Sequence, residues 1–207
     1  MGRWAHFRTS RIFTRHPLPV TRYYLCTPVK TLLDSQQLYI VLHRLAHQLV
    51  EVHGDFKNTV LAGIQPRGVA FSDRLVSILG EILTGPPPEY ATLDTTFYRD
   101  DLHTDASIRT PEATHFPTGI DGKVVVLIDD VLYTGRTIRA AMDALLDIGR
   151  PERVELLTLI DRRLRRELPI QPNYIGGSVD TYDSQTVRLL WGTAAGEDQV
   201  YLVEDAS

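Results

Sequence analysis

The sequence predicts an α/β domain, a parallel sheet flanked by helices with a small C-terminal hood. Two observations carry that prediction. The apolar runs at 59–64 (TVLAGI), 124–128 (VVVLI) and 154–160 are continuous rather than alternating, as in strands buried on both faces. The first two lead through a short turn into a helix-forming run, and that alternation argues for parallel crossovers. A chain of 207 residues is the length of one domain. No apolar run approaches the roughly 20 residues that a membrane helix needs.

In chain order, residues 1–31 read as a basic extension. Arg3, Arg8, Arg11, Arg15, Arg22 and Lys30 fall in the first 33 residues without one Asp or Glu, a local +6 in a chain of net charge −4. Three readings stay open: an extension outside the folded domain, an Arg-rich transit peptide or a nucleic-acid-binding arm. The prolines at 17, 19 and 28 break the amphipathicity that a transit helix needs. Cys26, the single cysteine, excludes an internal disulfide and fits a reducing compartment.

The folded domain is expected over 32–207. Asp34 caps a helix over 35–52, with Leu38, Leu42, Leu45, Leu49 and Val52 spaced for one buried face. His43, Arg44 and His47 fall on the other side or its flank, and Gly54 stops the helix. The strand at 59–64 leaves through Gln65, Pro66, Arg67 and Gly68 into a helix over 69–83, which Gly85 and three prolines terminate. Residues 90–97 alternate as a third strand. A polar stretch without apolar period then runs to Gly122, a length typical of a lid. After the helix at about 137–148, the strand at 154–160 ends at Asp161. Residues 168–170, 174–177 and 187–191 are expected to build the hood, at about 161–195. Tyr174 and Trp191 are read as apolar packing rather than as base-stacking rings.

The chemistry sits in KVVVLIDDVLYTGRTIRAAM, residues 123–142. An apolar strand ends on Asp129 and Asp130, and a loop of hydroxyls and glycine, Tyr133-Thr134-Gly135-Arg136-Thr137, opens a helix. Free N–H groups and the positive helix end suit a phosphate there. Two adjacent carboxylates repel a bare phosphate but suit sugar hydroxyls or Mg²⁺. A pentose 5′-phosphate satisfies both halves.

Residues 125–137 resemble, without a gap, the phosphoribosyl-pyrophosphate signature of the type I phosphoribosyltransferases. With LAGIQPRGVAFSDRL, DTTFYRDDL and DRRLRRELPI, the resemblance extends over about 32–205. It points to the branch whose members regulate pyrimidine-biosynthesis operons and act as uracil phosphoribosyltransferases. It implies phosphoribosyl pyrophosphate, uracil and UMP as ligands, Mg²⁺ as cofactor, an mRNA leader as a partner, a homodimer or homotetramer, and a cytoplasmic protein with no membrane contact.

Residue by residue, the resemblance gives Asp129 and Asp130 the ribose hydroxyls and Mg²⁺, directly or through water. Tyr133, Thr134, Gly135, Arg136 and Thr137 would wrap the 5′-phosphate. Gln65, Pro66, Arg67 and Gly68 would form the pyrophosphate loop, and the non-proline cis peptide of relatives matches Pro66–Arg67. Arg99, in a lid with Tyr98, Asp100 and Asp101, would close over the pyrophosphate. Asp161, Arg162 and Ile175 would hold the base. His43, Arg44, His47 and Arg165 would contact RNA. The chain departs from the branch at 162–166, one residue longer and without a Gly-His pair, and at Gln171 and Gly177, where relatives carry basic residues of the RNA surface. The alternative readings are a non-catalytic RNA-binding regulator that senses UMP without turnover, and a phosphoribosyltransferase acting on a purine or other base.

Overall fold

In the computed structural model, residues 28–99, 113–192 and 197–204 are described. Five strands form an all-parallel sheet in the order β3-β2-β4-β5-β6: β2 (Thr59–Ile64), β3 (Glu89–Leu93), β4 (Val124–Leu132), β5 (Arg153–Arg162) and β6 (Tyr174–Val179). The sequence logic of buried strands holds. All six residues of β2 are buried, as are Val125 to Asp130 of the central β4.

The alternation of side chains along each strand sorts the core into two layers. Leu61, Val126, Ile128, Leu157 and Leu159 face α1 (Ser35–His53) and α2 (Arg67–Ile82), through Leu38, Leu42, Leu45, Leu49, Phe71, Leu75 and Leu79. Val60, Ala62, Val125, Leu127 and Leu156 face α3 (Arg136–Ile148), through Ile138, Ala141, Ala144 and Leu145. Burying such a side chain contributes about 1.5–3 kcal/mol, so these layers fix the height at which β4 delivers its carboxylates.

Helix α1 starts where its cap predicts. Asp34 Oδ1 accepts from Gln37 N at 2.8 Å, and Gln37 Oε1 accepts from Asp34 N at 3.0 Å, a reciprocal capping box. Asp34→Ala should cost about 1 kcal/mol, lowering the melting temperature by about 2–4 °C; a thermal melt that does not move would remove the cap from the stability of α1. Val52, expected on the buried face, is 56 % exposed. It lies at the margin of the stripe in the last turn, where the chain turns His53 inward instead: its ring lies 3.1 Å from Tyr174 Oη and 3.2 Å from Thr59 Oγ1. Tyr174 donates to the buried Glu155 at 2.7 Å, so its ring is core packing, as the sequence reads.

Several boundaries move. Helix α2 starts at Arg67, two residues earlier than the periodicity indicates. The third strand stops at Leu93, because Asp94 Oδ1 accepts from both Thr96 N (2.9 Å) and Thr96 Oγ1 (2.6 Å) and turns the chain into a short 3₁₀ helix, Thr96–Tyr98.

The hood differs from expectation more deeply. Residues 174–177 belong to β6, the parallel edge strand of the main sheet, and not to the hood. The hood is an antiparallel sheet in the order β1-β8-β7, made of β1 (Pro28–Leu33), β7 (Gln185–Leu190) and β8 (Gln199–Glu204). Residues 28–31, placed in the basic extension by the sequence, are therefore strand. The reason is pairing across the whole chain, Thr31 with Tyr201 and Leu33 with Val200. The rest of the extension, residues 1–27, lies outside the described residues.

Candidate active site

Asp129 and Asp130 sit near the carboxyl end of β4, where an open parallel sheet presents its ligand site. Successive strand residues point to opposite faces, and both carboxylates are buried, 7 % and 5 % exposed. Asp129 Oδ1 accepts from Asp130 N at 3.0 Å. Burial pushes the Asp129 carboxyl well above the ordinary carboxylate range, and the adjacent Asp130 charge pushes it further. Burial also raises Asp130, which Arg67 partly offsets. Such a pair gains from a cation or from hydroxyl donors.

The phosphate-side loop follows at once. Gly135 caps α3 at φ 95°, the left-handed region, and a Cβ there would meet Ile170 Cδ1 at 3.1 Å. The loop's carbonyls are engaged from outside. Thr134 O accepts from Glu167 N (3.0 Å) and Leu168 N (3.2 Å), and Tyr133 O accepts from Arg166 Nη1 at 2.6 Å. Arg136 points outward into an ion pair with Glu167 (2.7 and 2.6 Å). With its acceptors occupied from one side, the loop offers backbone N–H groups and the Thr134 and Thr137 hydroxyls to an anion at the helix start. A cavity of about 270 Å³ lies there, lined by Tyr133, Thr134, Gly135, Arg136 and Thr137 together with Asp129 and Arg99.

A second cavity of about 550 Å³ shares Asp129, Tyr133, Thr137 and Arg99 with the first, and adds Asp130, Gln65, Pro66 and Arg67. Gly68 makes this approach possible. A Cβ on it would come within 2.4 Å of Ile128 O, so α2 meets β4 backbone to backbone and brings Arg67 beside Asp130. The cis bond of this loop is Gln65–Pro66, not Pro66–Arg67 as expected. The tertiary amide of an X–Pro bond cuts the preference for trans to about 0.5–1 kcal/mol, against about 2.5–4 kcal/mol at the bond after proline.

Arg99 lines both cavities, and its Nη1 donates to Thr137 Oγ1 at 3.2 Å, so it reaches the start of α3 as well as the side of Gln65 to Arg67. Tyr98 anchors it, donating to Asp147 Oδ2 on α3 at 2.7 Å, while Arg139 reaches Tyr98 O at 3.4 Å. Asp100 and Asp101 lie outside the described residues.

The base-side assignments divide. Arg162 lines the second cavity. Asp161, one residue earlier, faces away and pairs with Arg166, the residue that holds Tyr133 O. Ile175 lines neither cavity. It pairs with Thr158, three strand positions before Asp161 pairs with Ser178, so it lies too far toward the amino end of the sheet. Thr186 and Val187 of β7 take the hood side of the cavity instead. A predicted hood strand beginning at 187 hinted at Val187; no sequence signal marked Thr186. Trp191 packs on Phe71 (9° between planes, 6.3 Å) with Arg74 at 5.8 Å.

Of the residues matched to RNA contact, Arg44 is exposed but donates to Ile175 O and Gly176 O at 2.9 and 2.7 Å. His43 lies against Tyr39 at 4.2 Å, His47 is exposed, and Arg165 pairs with Asp183. Arg163 likewise pairs with Asp180 at 3.2 Å.

An acidic pair and a helix-entry loop that share two adjoining cavities beneath a hood suit a phosphorylated pentose, and the comparisons place the chain among the phosphoribosyltransferases, pentosyl-transferring enzymes. The family model described as phosphoribosyl transferase domain matches residues 28–189. Bifunctional protein PyrR of Actinobacillus pleuropneumoniae is 43% identical over 174 residues, 84% of this chain and 96% of that protein. Its counterpart in a Thermoanaerobacter strain is 42% identical over 175 residues, again 84% and 96%. A hypoxanthine phosphoribosyltransferase from Staphylococcus aureus shares the fold at TM-score 0.63 and 18% identity, covering 86% of this chain and 92% of that one. The chain belongs to the phosphoribosyltransferase domain family, in its PyrR-like branch. Among the described residues, no helix is long and apolar enough to cross a membrane.

Proposed function

We propose that the protein transfers the phosphoribosyl group of phosphoribosyl pyrophosphate to uracil, giving UMP and pyrophosphate. The supporting observation is the buried Asp129–Asp130 pair between a phosphate-shaped loop on one side and Arg67 on the other. In this reading the loop from Tyr133 to Thr137 holds the 5′-phosphate, and the carboxylates accept from the ribose 2′- and 3′-hydroxyls. Arg67 and the backbone of Gln65 to Gly68 receive the pyrophosphate, and Arg99 completes the enclosure. The uracil nitrogen forms the bond to ribose C1 as the C1–oxygen bond breaks. The electron pair leaves on pyrophosphate, and the nitrogen's proton passes to water. Charge that develops on the leaving group is met by fixed cations and N–H groups.

Mg²⁺ fits the donor set: two hard carboxylates beside a polyphosphate site are what it takes, its remaining positions going to water and substrate oxygens. When bound it would supply charge to the departing pyrophosphate.

The name of the relatives, Bifunctional protein PyrR, supports adding a role in regulating pyrimidine genes through an mRNA leader. A cytoplasmic homodimer or homotetramer belongs to the same proposal, as does a catalytic unit beginning at β1 after a basic extension. The engaged state of Arg44 and Arg165 favours a weaker RNA surface than the branch pattern implies, since phosphate contacts supply much of the affinity for nucleic acid. Pyrophosphate release with Mg²⁺ and phosphoribosyl pyrophosphate, comparing uracil with hypoxanthine, guanine, adenine and orotate, tests the reading. Release with uracil alone is expected. A purine substrate would overturn the base assignment, and UMP binding without turnover would favour a sensor.

A further inference from the structure

We propose that Arg162, anchored to the hood, is a positioning residue for the 5′-phosphate loop, acting through the ring of Tyr133. The inference rests on reading Tyr133 to Thr137 as that loop, and it goes beyond a base contact for Arg162. This arginine ends β5 and is 6 % exposed. Its guanidinium carbon lies 3.8 Å from the centroid of the Tyr133 ring. On its other edges Nε donates to Thr181 Oγ1 at 3.0 Å and Nη2 donates to Gln185 O at 2.8 Å. Thr181 is itself buried, and Gln185 opens the hood strand β7. One buried planar cation therefore joins the end of the main sheet, the turn into the hood and the first residue of the phosphate loop.

A planar guanidinium can stack on an aromatic face while its edge donates in a fixed fork, and a lysine ammonium cannot do both. Desolvation strengthens the contact with the ring and makes each acceptor costly to lose. Tyr133 O is held independently by Arg166, so the backbone at Tyr133 is fixed from one side and its ring from the other. The loop's conformation, and with it the direction of its N–H groups, depends on where the hood holds Arg162.

The test uses ribose 5-phosphate, which has neither base nor pyrophosphate, so a loss of affinity cannot come from a missing contact to either. By titration calorimetry on the full chain, Arg162→Lys should raise its Kd about tenfold. Thr181→Val, in the hood turn, should raise it about threefold by removing the Nε acceptor, and Thr181→Ser should restore it. If Arg162→Lys fails to fold, the Thr181 pair carries the test. Unchanged affinity in Arg162→Lys or in Thr181→Val overturns the inference, as does equal weakening in the valine and serine variants. Failure of the unsubstituted protein to bind ribose 5-phosphate would instead overturn the phosphate-loop reading itself.

Discussion

Gly68→Ala is expected to unseat the helix that carries Arg67. The new Cβ would stand 2.4 Å from a main-chain oxygen of the central strand, and neither a strand buried on both faces nor the first turn of α2 can give way cheaply. A cost of about 3 kcal/mol is expected, at the severe end for one added methyl, and the melting temperature should fall by about 6–12 °C. Phosphoribosyl-pyrophosphate binding should be lost with it, because Arg67 moves off Asp130. Gly80 offers a control in the same helix. It is exposed, and a Cβ there meets nothing within 4 Å, so Gly80→Ala should stabilise by about 0.5–1 kcal/mol. Equal melting temperatures for the two variants would show that the close approach at Gly68 carries no energy.

The second large effect concerns the carboxylate pair. Asp130→Asn should raise the Kd for phosphoribosyl pyrophosphate about 10–150-fold, the loss expected for hydrogen bonds to a buried charge. Unchanged affinity would remove this carboxylate from the ribose role. Stability should move the other way. Burial and the neighbouring charge raise the folded-state value of Asp129 above that of the unfolded chain. Its favourable contribution is therefore fully present at acid pH, below the ordinary carboxylate value, and is lost as pH rises through the raised one. Asp129→Asn removes that loss. The ligand-free variant should melt above the parent protein at neutral pH, by about 2–4 °C for each kcal/mol relieved, and the difference should shrink as pH falls toward 4. A variant that melts below the parent at neutral pH would contradict the origin assigned to the shift.

Much of this architecture is local and could be seen in the sequence. The β4–α3 unit writes its strand, its carboxylates and its helix entry in consecutive residues, so periodicity and composition disclose all three. The cap at Asp34 is legible for the same reason. What was hidden is what depends on distant pairing. Strand β6 is six residues with two adjacent glycines, a composition that reads as a turn. It is a strand because β5 lies beside it and α1 packs on Gly176, where a Cβ would meet Leu159 O at 2.4 Å. The position of Ile175, level with Thr158, is hidden in the same way, for an isolated strand does not say how far along the sheet it sits. The strand β1 carries no periodic signal, and only its partner β8 makes it one. Thr186 enters the cavity through the hood's docking and through nothing in its neighbours along the chain.

That docking has a consequence for how the enzyme is made. The outer strand of the hood comes from the beginning of the described chain and its middle strand from the end. Leaving the ribosome, β1 has no partner until residues 199–204 have emerged, and closing so long a loop is slow. The sheet that carries the Tyr133–Thr137 loop and both carboxylates can assemble first, from α1 to β6, with its roof missing. Such an intermediate would hold the Asp129–Asp130 cavity open on the side that Thr186 and Val187 of β7 otherwise wall. The wall that β7 gives the second cavity is fixed in place only once β8 has paired with both β1 and β7.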